Sequence, residues 1–348
     1  MSTGRSSDAE ERPAPTLPPV ERIAEGAWSL PLPIPVNPLA YVLAYALETG
    51  DGVVLVDSGW NTPETFEALE RGLARLGAEI GSVRGVLVTH IHPDHYGLAG
   101  RIREESGAWV ALHPADAALV HSRYEDVDEL LDRIEAWLRA AGAPESAVDD
   151  LRDASLAIRH LVVTAQPDVL LEDGDRPDVA GWDLVAVHTP GHTPGHLVFR
   201  ADAAGLVFTG DHVLPRITPH VGVNPQSTDD PLGDFLDSLD RLRGLGEVLA
   251  LPGHEYRFDD LDSRLDALRA HHEERLDDVL RIVEEGAETV WDVASRYRWS
   301  RGWDRLEGFM RRAALGEVQA HLRQLETRGR LERVEATPLR WRLPAGRP

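Results

Sequence analysis

Residues 89–95 read Thr89-His90-Ile91-His92-Pro93-Asp94-His95 and directly follow the apolar run Gly85-Val86-Leu87-Val88. The run has the length and composition of a buried strand, so the polar stretch lies at a strand end. Three imidazoles and a carboxylate lose hydration when they are buried together, and a divalent cation that binds neutral His and ionised Asp compensates for that loss. The stretch therefore predicts a metal site at the end of a buried strand.

The spacing of these side chains indicates two ions instead of one. His90 and His92 are two residues apart on extended backbone and point to the same side of it. Asp94 and His95 fall where the chain turns into a helix, so they point elsewhere. We therefore predict two adjacent metal ions.

Three later segments repeat the pattern of an apolar strand, a glycine turn and a metal-competent side chain at the rim. They are Val187-His188-Thr189-Pro190-Gly191-His192-Thr193-Pro194-Gly195-His196, Phe208-Thr209-Gly210-Asp211-His212 and Leu251-Pro252-Gly253-His254-Glu255. Four strand ends that meet at one edge of a sheet would supply enough ligands for two ions.

Apolar segments of strand length recur between residues 39 and 254, and several lack polar alternation, which is typical of strands covered on both faces. The predicted strands are 41–47, 53–56, 86–88, 109–112, 184–187, 197–199, 206–208 and 248–251. Helical patterns lie between some of them, such as 63–76, with Thr62 as the N-cap, and 234–245. This alternation predicts an α/β fold, built as a layered sandwich.

Two regions depart from that alternation. Residues 114–161 have a helical pattern and form an insertion, either as a cover for the sheet edge or as a wall over the site. Residues 261–283, 290–297 and 310–328 are also helical, and two alternating runs follow them, which predicts a small winged-helix-like module. Its tryptophans are expected to be packing anchors. They are Trp291, Trp299, Trp303 and Trp341.

The composition restricts the metals and the partners. The chain has 348 residues, no cysteine and a net charge of -23, so His and carboxylates are its only strong metal ligands and the surface repels polyanions. Residues 289–348 carry 13 Arg against 7 Asp and Glu, a local excess of +6. Nucleic acid and membranes are therefore not expected partners, although the basic excess leaves a polyanion open.

The N-terminal stretch, residues 1–19, is polar, acidic and rich in proline, and we expect it to be a disordered tail. The chain contains no apolar run long enough to span a bilayer. We expect a soluble, cytoplasmic protein, and a homodimer is possible through a face around Trp137.

These motifs resemble those of the metallo-β-lactamase superfamily, and the closest pattern is that of glyoxalase II-like hydrolases. The resemblance covers roughly residues 20 to 345 and includes a C-terminal tail similar to the winged-helix appendage of some members. It implies an αββα sandwich as the catalytic domain at 20–260, with the insertion at 114–161, and a helical, winged-helix-like domain at 261–348.

The resemblance also implies the ligand set. His90, His92 and His192 would hold the first ion, and Asp94, His95 and His254 the second. Asp211 would bridge the two ions. Asp57 and His196 would support the ligands from behind, because a carboxylate behind a ligand His fixes its tautomer.

A dinuclear metal-dependent hydrolase is the expected function. A metal-bridged hydroxide would attack a thioester or a lactone-like ester, with Asp94 and Asp211 as the catalytic carboxylates. Zinc is favoured, with iron or manganese as alternatives. A phosphodiesterase or ribonuclease and a mono-iron sulfur dioxygenase are the alternative functions. A small-molecule substrate is expected, with pocket walls from residues 34–38, the insertion and residues 216–226. Within the last segment, Arg216, His220 and Asn224 are the candidate substrate contacts.

Overall fold

The computed structural model describes residues 17–34 and 39–345. Most of the predicted N-terminal tail and residues 35–38 of the pocket wall predicted at 34–38 therefore lie outside the described residues. The strands are β1 (Glu21–Ala24), β2 (Ala27–Pro33), β3 (Tyr41–Thr49), β4 (Gly52–Val56), β5 (Val83–Leu87), β6 (Trp109–Leu112), β7 (Val169–Leu170), β8 (Val185–His188), β9 (Leu197–Ala201), β10 (Leu206–Gly210), β11 (Leu249–Pro252), β12 (Glu332–Val334) and β13 (Arg340–Arg342). The helices are α1 (Pro63–Arg75), α2 (Pro93–Tyr96), α3 (Ala99–Ser106), α4 (Pro114–Ala117), α5 (Asp128–Ala140), α6 (Glu145–Asp153), α7 (Pro231–Arg241), α8 (Leu261–Glu284), α9 (Val290–Arg296) and α10 (Gly308–Thr327).

The strands form two main sheets. The first has the order β1-β2-β3-β4-β5-β6-β7 and is antiparallel up to β4 and parallel from β4 to β7. The second has the order β11-β10-β9-β8. All eight strands predicted from apolar runs are present, whereas β1, β2 and β7 were not predicted.

Three apolar clusters show the layering. Leu55 of β4 packs with Leu69 of α1 on the outer face of the first sheet. Val56, on the opposite face of β4, packs with Phe199 of β9 between the two sheets. On the outer face of the second sheet, strand residues pack against α7 and α8. This order of helix, sheet, sheet and helix confirms the predicted αββα sandwich.

Helix α1 shows how local sequence fixes an element. Thr62 is the N-cap, because its side-chain oxygen accepts a hydrogen bond from the Thr65 backbone N–H at 3.2 Å. Pro63 occupies the first turn, where no N–H is needed. Phe66, Leu69 and Leu73 recur at helical spacing and are buried, so the predicted helix and its cap are confirmed.

The C-terminal helices share one core with the second sheet. Leu276 of α8 and Leu315 of α10 belong to the same apolar cluster as Val207 of β10. The predicted tryptophan anchors lie in or against this cluster, and Trp341 is fully buried, which confirms their packing role. Helices α9 and α10 and the β12–β13 hairpin are the elements that a winged-helix-like module needs, and that arrangement, like the boundary near residue 260, stays a prediction.

The insertion consists of α4, a π-helical turn at His121–Glu125, α5, α6 and a 3-10 helix at Leu156–Leu161. Helix α5 does not present a free face at Trp137, because the Trp137 indole N–H donates to Gln319 Oε1 of α10 at 2.7 Å. The Trp137 side chain therefore packs towards α10, and the homodimer stays a prediction. None of the helices in the described ranges combines the length and apolar character needed to cross a bilayer.

Candidate metal centre

The candidate site lies where strands of both sheets end. Strands β4, β5 and β6 are parallel, and β8, β10 and β11 share one direction, so within each sheet their carboxyl ends meet at one edge. The structure brings all seven predicted metal-binding side chains together at this edge. They are His90, His92, Asp94, His95, His192, Asp211 and His254.

Three imidazoles form the first ligand group. His90 Nε2 lies 3.0 Å from His92 Nδ1 and 3.2 Å from His192 Nε2, and the last two nitrogens are 2.9 Å apart. Burial, followed by the neighbouring imidazoles, holds the pKa of His90 and of His92 well below the usual range. These rings are therefore neutral, which is the form that binds a metal.

The second ligand group contains Asp94, His95 and His254, and Asp211 lies between the two groups. His254 Nε2 is 3.3 Å from Asp94 Oδ2 and 3.4 Å from Asp211 Oδ2. Asp211 Oδ1 is 3.4 Å from His95 Nε2, while Asp211 Oδ2 is 3.8 Å from His192 Nε2 of the first group. The Asp211 carboxylate therefore contacts both groups, as a bridging ligand must.

The carboxylates create a negative field at the second group. Burial lowers the pKa of His254, but Asp211 and Asp94 outweigh burial and raise it to about 10. Burial also opposes ionisation of Asp211, yet His254 and His95 lower its pKa well below the usual range. Both carboxylates are ionised at neutral pH, and the same field attracts a metal cation.

The donor atoms fit divalent ions. His95 Nε2, His254 Nε2 and Asp211 Oδ1 are buried and have no hydrogen-bond partner in the described structure, and they point at one another. Buried polar atoms without partners are costly, and a cation bound between them would satisfy all three. The residues present can therefore hold one ion in each group.

The ring nitrogens that face away from the candidate metal site donate hydrogen bonds to neighbouring oxygen atoms. His95 Nδ1 donates to Asp57 Oδ2 at 2.7 Å, His192 Nδ1 to the His220 carbonyl at 2.7 Å and His254 Nδ1 to the Tyr41 carbonyl at 3.1 Å. These bonds hold a proton on the outer nitrogen, so the inner Nε2 is the atom that can bind a metal. Burial lowers the pKa of His95 and His254, but Asp211 and the neighbouring carboxylates raise it overall, so a metal would displace the proton from that nitrogen.

Asp57 also reaches the first group through Thr89. The Thr89 hydroxyl donates to Asp57 Oδ2 at 2.9 Å and lies 3.0 Å from His90 Nδ1, so it can accept the proton of that ring. Asp57 adopts a left-handed backbone with φ +62°, which costs roughly 1–3 kcal/mol for a residue other than glycine. One strained carboxylate thus orients a histidine in each ligand group.

His196 positions Asp211 from behind. Its Nε2 accepts a hydrogen bond from the Asp211 backbone N–H at 3.2 Å, and its Nδ1 donates to the Thr189 hydroxyl at 2.9 Å. Gly253 lets the backbone pass close to Asp211 and His95, because a Cβ there would lie 2.6 Å from both Asp211 Oδ1 and the His95 ring.

Asp116 was not predicted as a site residue. It is fully buried, and its oxygens accept from Ile91 N–H at 2.9 Å, the Thr193 hydroxyl at 2.9 Å and Gly195 N–H at 2.7 Å. It therefore ties the loop of His90 and His92 to the loop of His192. The sequence held a signal, because Asp116 follows the end of β6 in a His-Pro turn, like the other motifs.

Five of the seven predicted metal-binding side chains line a cavity of about 690 Å³, namely His92, Asp94, His192, Asp211 and His254. The insertion and α10 form most of its apolar wall. The apolar wall residues include Leu130, Ile134, Trp137, Ile158, Phe309 and Met310. The insertion is thus a wall of the site, and the contribution of α10 was not predicted.

The predicted substrate contacts divide into two sets. His220 and Asn224 line the cavity, and His220 is exposed within it. Arg216 does not line the cavity, because its Nε lies 3.0 Å from Glu255 Oε1 in an exposed ion pair. The structure therefore does not bring Arg216 to the site.

Comparisons with known proteins agree with this geometry. A family model described as the metallo-beta-lactamase superfamily matches residues 37–254. The probable metallo-hydrolase YqjP of Bacillus subtilis is 25% identical over 303 residues, which cover 85% of this chain and 88% of that protein.

Two solved structures are similar over nearly the whole chain. A metallo-beta-lactamase family protein from Thermus thermophilus has a TM-score of 0.80 and 33% identity, covering 93% of this chain and 100% of that one. A beta-lactamase domain protein from Burkholderia ambifaria has a TM-score of 0.77 and 25% identity, covering 93% and 94%. Both similarities extend beyond residues 37–254 into the C-terminal helices.

Proposed function

The chain belongs to the metallo-beta-lactamase superfamily and is a metal-dependent hydrolase, and we propose that it uses two divalent ions to cleave a thioester or a lactone-like ester. One observation carries this proposal. Asp211 contacts both candidate ligand groups, and both groups contribute side chains to a largely apolar cavity.

The chain's own residues would divide the chemical work. When bound, two divalent ions would polarise the scissile carbonyl and make a water nucleophilic at neutral pH. Asp94 faces the cavity, and His95 and His254 lower its pKa against the effect of burial, so its carboxylate is ionised and can accept a proton. Asp57 and His196 hold His95 and Asp211 in place during the reaction.

A small carbonyl substrate suits the cavity better than a polymer. The cavity has apolar walls on the insertion and on α10, which favour an acyl chain. The net charge of -23 disfavours a polyanion. The basic excess of residues 289–348 is also partly neutralised, because Arg328 binds Glu273 and Arg330 binds Asp277. These contacts weaken the ribonuclease alternative.

Zinc is the metal we propose. The donor set contains five imidazoles and two carboxylates and no thiolate, which suits zinc and also permits iron or manganese. The presence of two complete groups favours two ions per chain over the single iron of a sulfur dioxygenase.

The test combines metal analysis with a substrate screen. We expect about two zinc ions per chain by elemental analysis and cleavage of a thioester or a lactone that a chelator abolishes. Asp211→Ala should lose both the metal stoichiometry and the activity while its circular dichroism is retained. The matched control is His121→Ala, because His121 is exposed and binds only Glu125.

Two outcomes would contradict the proposal. One is full activity in Asp211→Ala or in the chelated protein. The other is one iron per chain together with oxygen uptake in the presence of a persulfide, which would establish the dioxygenase instead.

A further inference from the structure

Three arginines that line the cavity have no carboxylate partner. No carboxylate in the described part of the chain lies within ion-pairing distance of Arg123, Arg159 or Arg312. Several arginines elsewhere on the molecule do pair with carboxylates, and Arg139, on the outside of the insertion, binds both Glu135 and Glu145. The cavity therefore has three guanidinium groups in its wall whose charge no described carboxylate neutralises.

Arg123 is held in place by neutral groups. Its Nη1 donates to Gln226 Oε1 at 2.9 Å, and Gln226 Nε2 donates in turn to the Ser122 hydroxyl at 3.2 Å. Its guanidinium lies 5.9 Å from the centre of the Tyr124 ring, which also lines the cavity. These contacts fix the side chain without neutralising its charge.

The charge of Arg123 reaches the metal centre. Arg123 lines the same cavity as His92 and His192, two imidazoles of the first ligand group. It also acts on Asp116, but the oxygens of Asp116 are occupied by Ile91, Thr193 and Gly195. The positive charge of Arg123 therefore remains available to a ligand beside the two ligand groups.

Arg312 adds a second cation to the same region. It donates to the carbonyls of Leu151 and Arg152, at 2.9 and 3.0 Å, and to the Ser155 hydroxyl, so it joins α10 to the end of α6. Burial, and then the like charge of Arg123, lower the pKa of Arg312 to about 10, which leaves it cationic at neutral pH. Two guanidinium groups that line one cavity without carboxylate partners in the described residues suit an anionic ligand.

We propose that Arg123, assisted by Arg312, binds an anionic group of the substrate while the scissile carbonyl lies at the metal centre. The substrate would be an acyl compound with an apolar body, which fits the wall of Ile134, Trp137 and Met310, and a carboxylate or phosphate at the guanidinium end. This inference rests on the proposed hydrolase function and specifies its substrate class.

The kinetic test uses N-acetylcysteamine thioesters with acyl chains of graded length. Each chain ends in a carboxylate, a phosphate or a neutral methyl ester. We expect kcat/KM to be at least about tenfold higher for one anionic series than for the methyl esters, as one charge-assisted pair provides. The series that is preferred identifies carboxylate or phosphate as the natural group.

The variants assign the preference to one side chain. Arg123→Gln should reduce the ratio of anionic to neutral kcat/KM to about one, and Arg123→Lys should retain part of it, because Lys keeps the charge but not the bidentate geometry. Arg139→Gln, the matched control, should keep the wild-type ratio. An equal ratio in the wild type and in Arg123→Gln would overturn the inference.

A binding measurement separates this inference from the proposed hydrolysis. Calorimetry on the chelated protein should show an aliphatic dicarboxylate or an ω-phosphonocarboxylate binding at least about tenfold more tightly than its neutral ester, and only when Arg123 is present. If this binding occurs but no thioester or lactone is cleaved by the metal-loaded protein, the hydrolase proposal fails and the anion site stands. If neutral esters are cleaved and bound as well as anionic ones, only the anion site fails.

Discussion

The molecule contains two buried groups of histidines, and only one has the character of a metal site. At the metal centre, ring nitrogens approach within 3.2 Å of one another at strand ends. In the C-terminal core, His272 Nδ1 of α8 lies 3.3 Å from His321 Nε2 of α10, and both residues are almost fully buried. Imidazole proximity and burial are therefore nearly the same in the two places.

The carboxylates and the outer contacts distinguish the two groups. At the metal centre, Asp94 and Asp211 face the inner nitrogens, and the outer nitrogen of His95 donates to Asp57. No carboxylate in the described residues pairs with His272 or His321, and neither lines the cavity. A metal site thus requires convergent charge and oriented tautomers in addition to clustered histidines.

The same substitution should remove a metal ion in one group and leave the metal content unchanged in the other. His95→Gln removes one inner nitrogen, so we expect the second ion to be lost and kcat/KM to fall on the order of a thousandfold, or about 4 kcal/mol of transition-state stabilisation. His272→Gln should keep two ions per chain and most of the activity. Elemental analysis and steady-state kinetics on both variants measure this, and equal metal losses would erase the distinction.

Removing the outer carboxylate should have a smaller effect. Asp57→Asn keeps the size of the side chain but weakens the acceptor for His95 Nδ1 and for the Thr89 hydroxyl. Loss of such a contact typically reduces metal affinity or activity about 10- to 100-fold. A zinc titration against a competing chelator measures it, and an unchanged affinity would show that ring orientation does not depend on Asp57.

The buried pair of His272 and His321, in contrast, should make the stability of the fold depend on pH. Burial, and then the neighbouring imidazole, lower the pKa of His272 from 6.5 to about 2, and burial lowers that of His321 to about 4. Below pH 6.5 these two histidines bind protons in the unfolded chain but stay neutral in the folded chain. The free energy of unfolding therefore falls as the pH falls from 6.5 towards 4. His272→Gln should remove about 1–2 kcal/mol of the stability loss between pH 7.5 and pH 5.

Chemical unfolding of wild type and variant at both pH values checks this. The comparison with the variant is necessary because the nearby Glu317, whose pKa burial raises to about 7, contributes in the opposite direction. A variant with the wild-type pH dependence would show that folding does not lower the pKa of His272.

The smallest expected effect concerns nucleic acid. Arg328, Arg330 and Arg340 bind Glu273, Asp277 and Glu288, so part of the positive charge of the C-terminal region is neutralised, and the whole chain carries -23. We expect no measurable RNA affinity even at low salt. Binding that weakens steeply as salt rises would restore the ribonuclease alternative.

The sequence allowed the fold and the clustering of the site to be predicted because both depend on local patterns. Apolar runs marked the strands, and each run that ended in a glycine turn carried a His or Asp to the same edge. The seven side chains do lie together, while their role as ligands stays a prediction. Asp116 carried a similar pattern and was overlooked.

The cavity could not be predicted in the same way. Its wall on α10 forms through contacts between residues more than 150 positions apart, such as Trp137 with Gln319, and no local pattern encodes them. Arg216 illustrates the opposite error, because its position in a loop suggested a substrate contact and its ion pair with Glu255 holds it elsewhere.

Helix α10 has an evolutionary consequence. The side chains proposed to hold the ions come from strand ends between residues 90 and 254, whereas much of the apolar cavity wall comes from the insertion and from Phe309, Met310 and Ala313. Selectivity can therefore diverge within the family while the chemistry is inherited unchanged. For enzyme engineering, residues 308–316 are a short segment in which substitutions could change substrate preference without altering the proposed metal ligands.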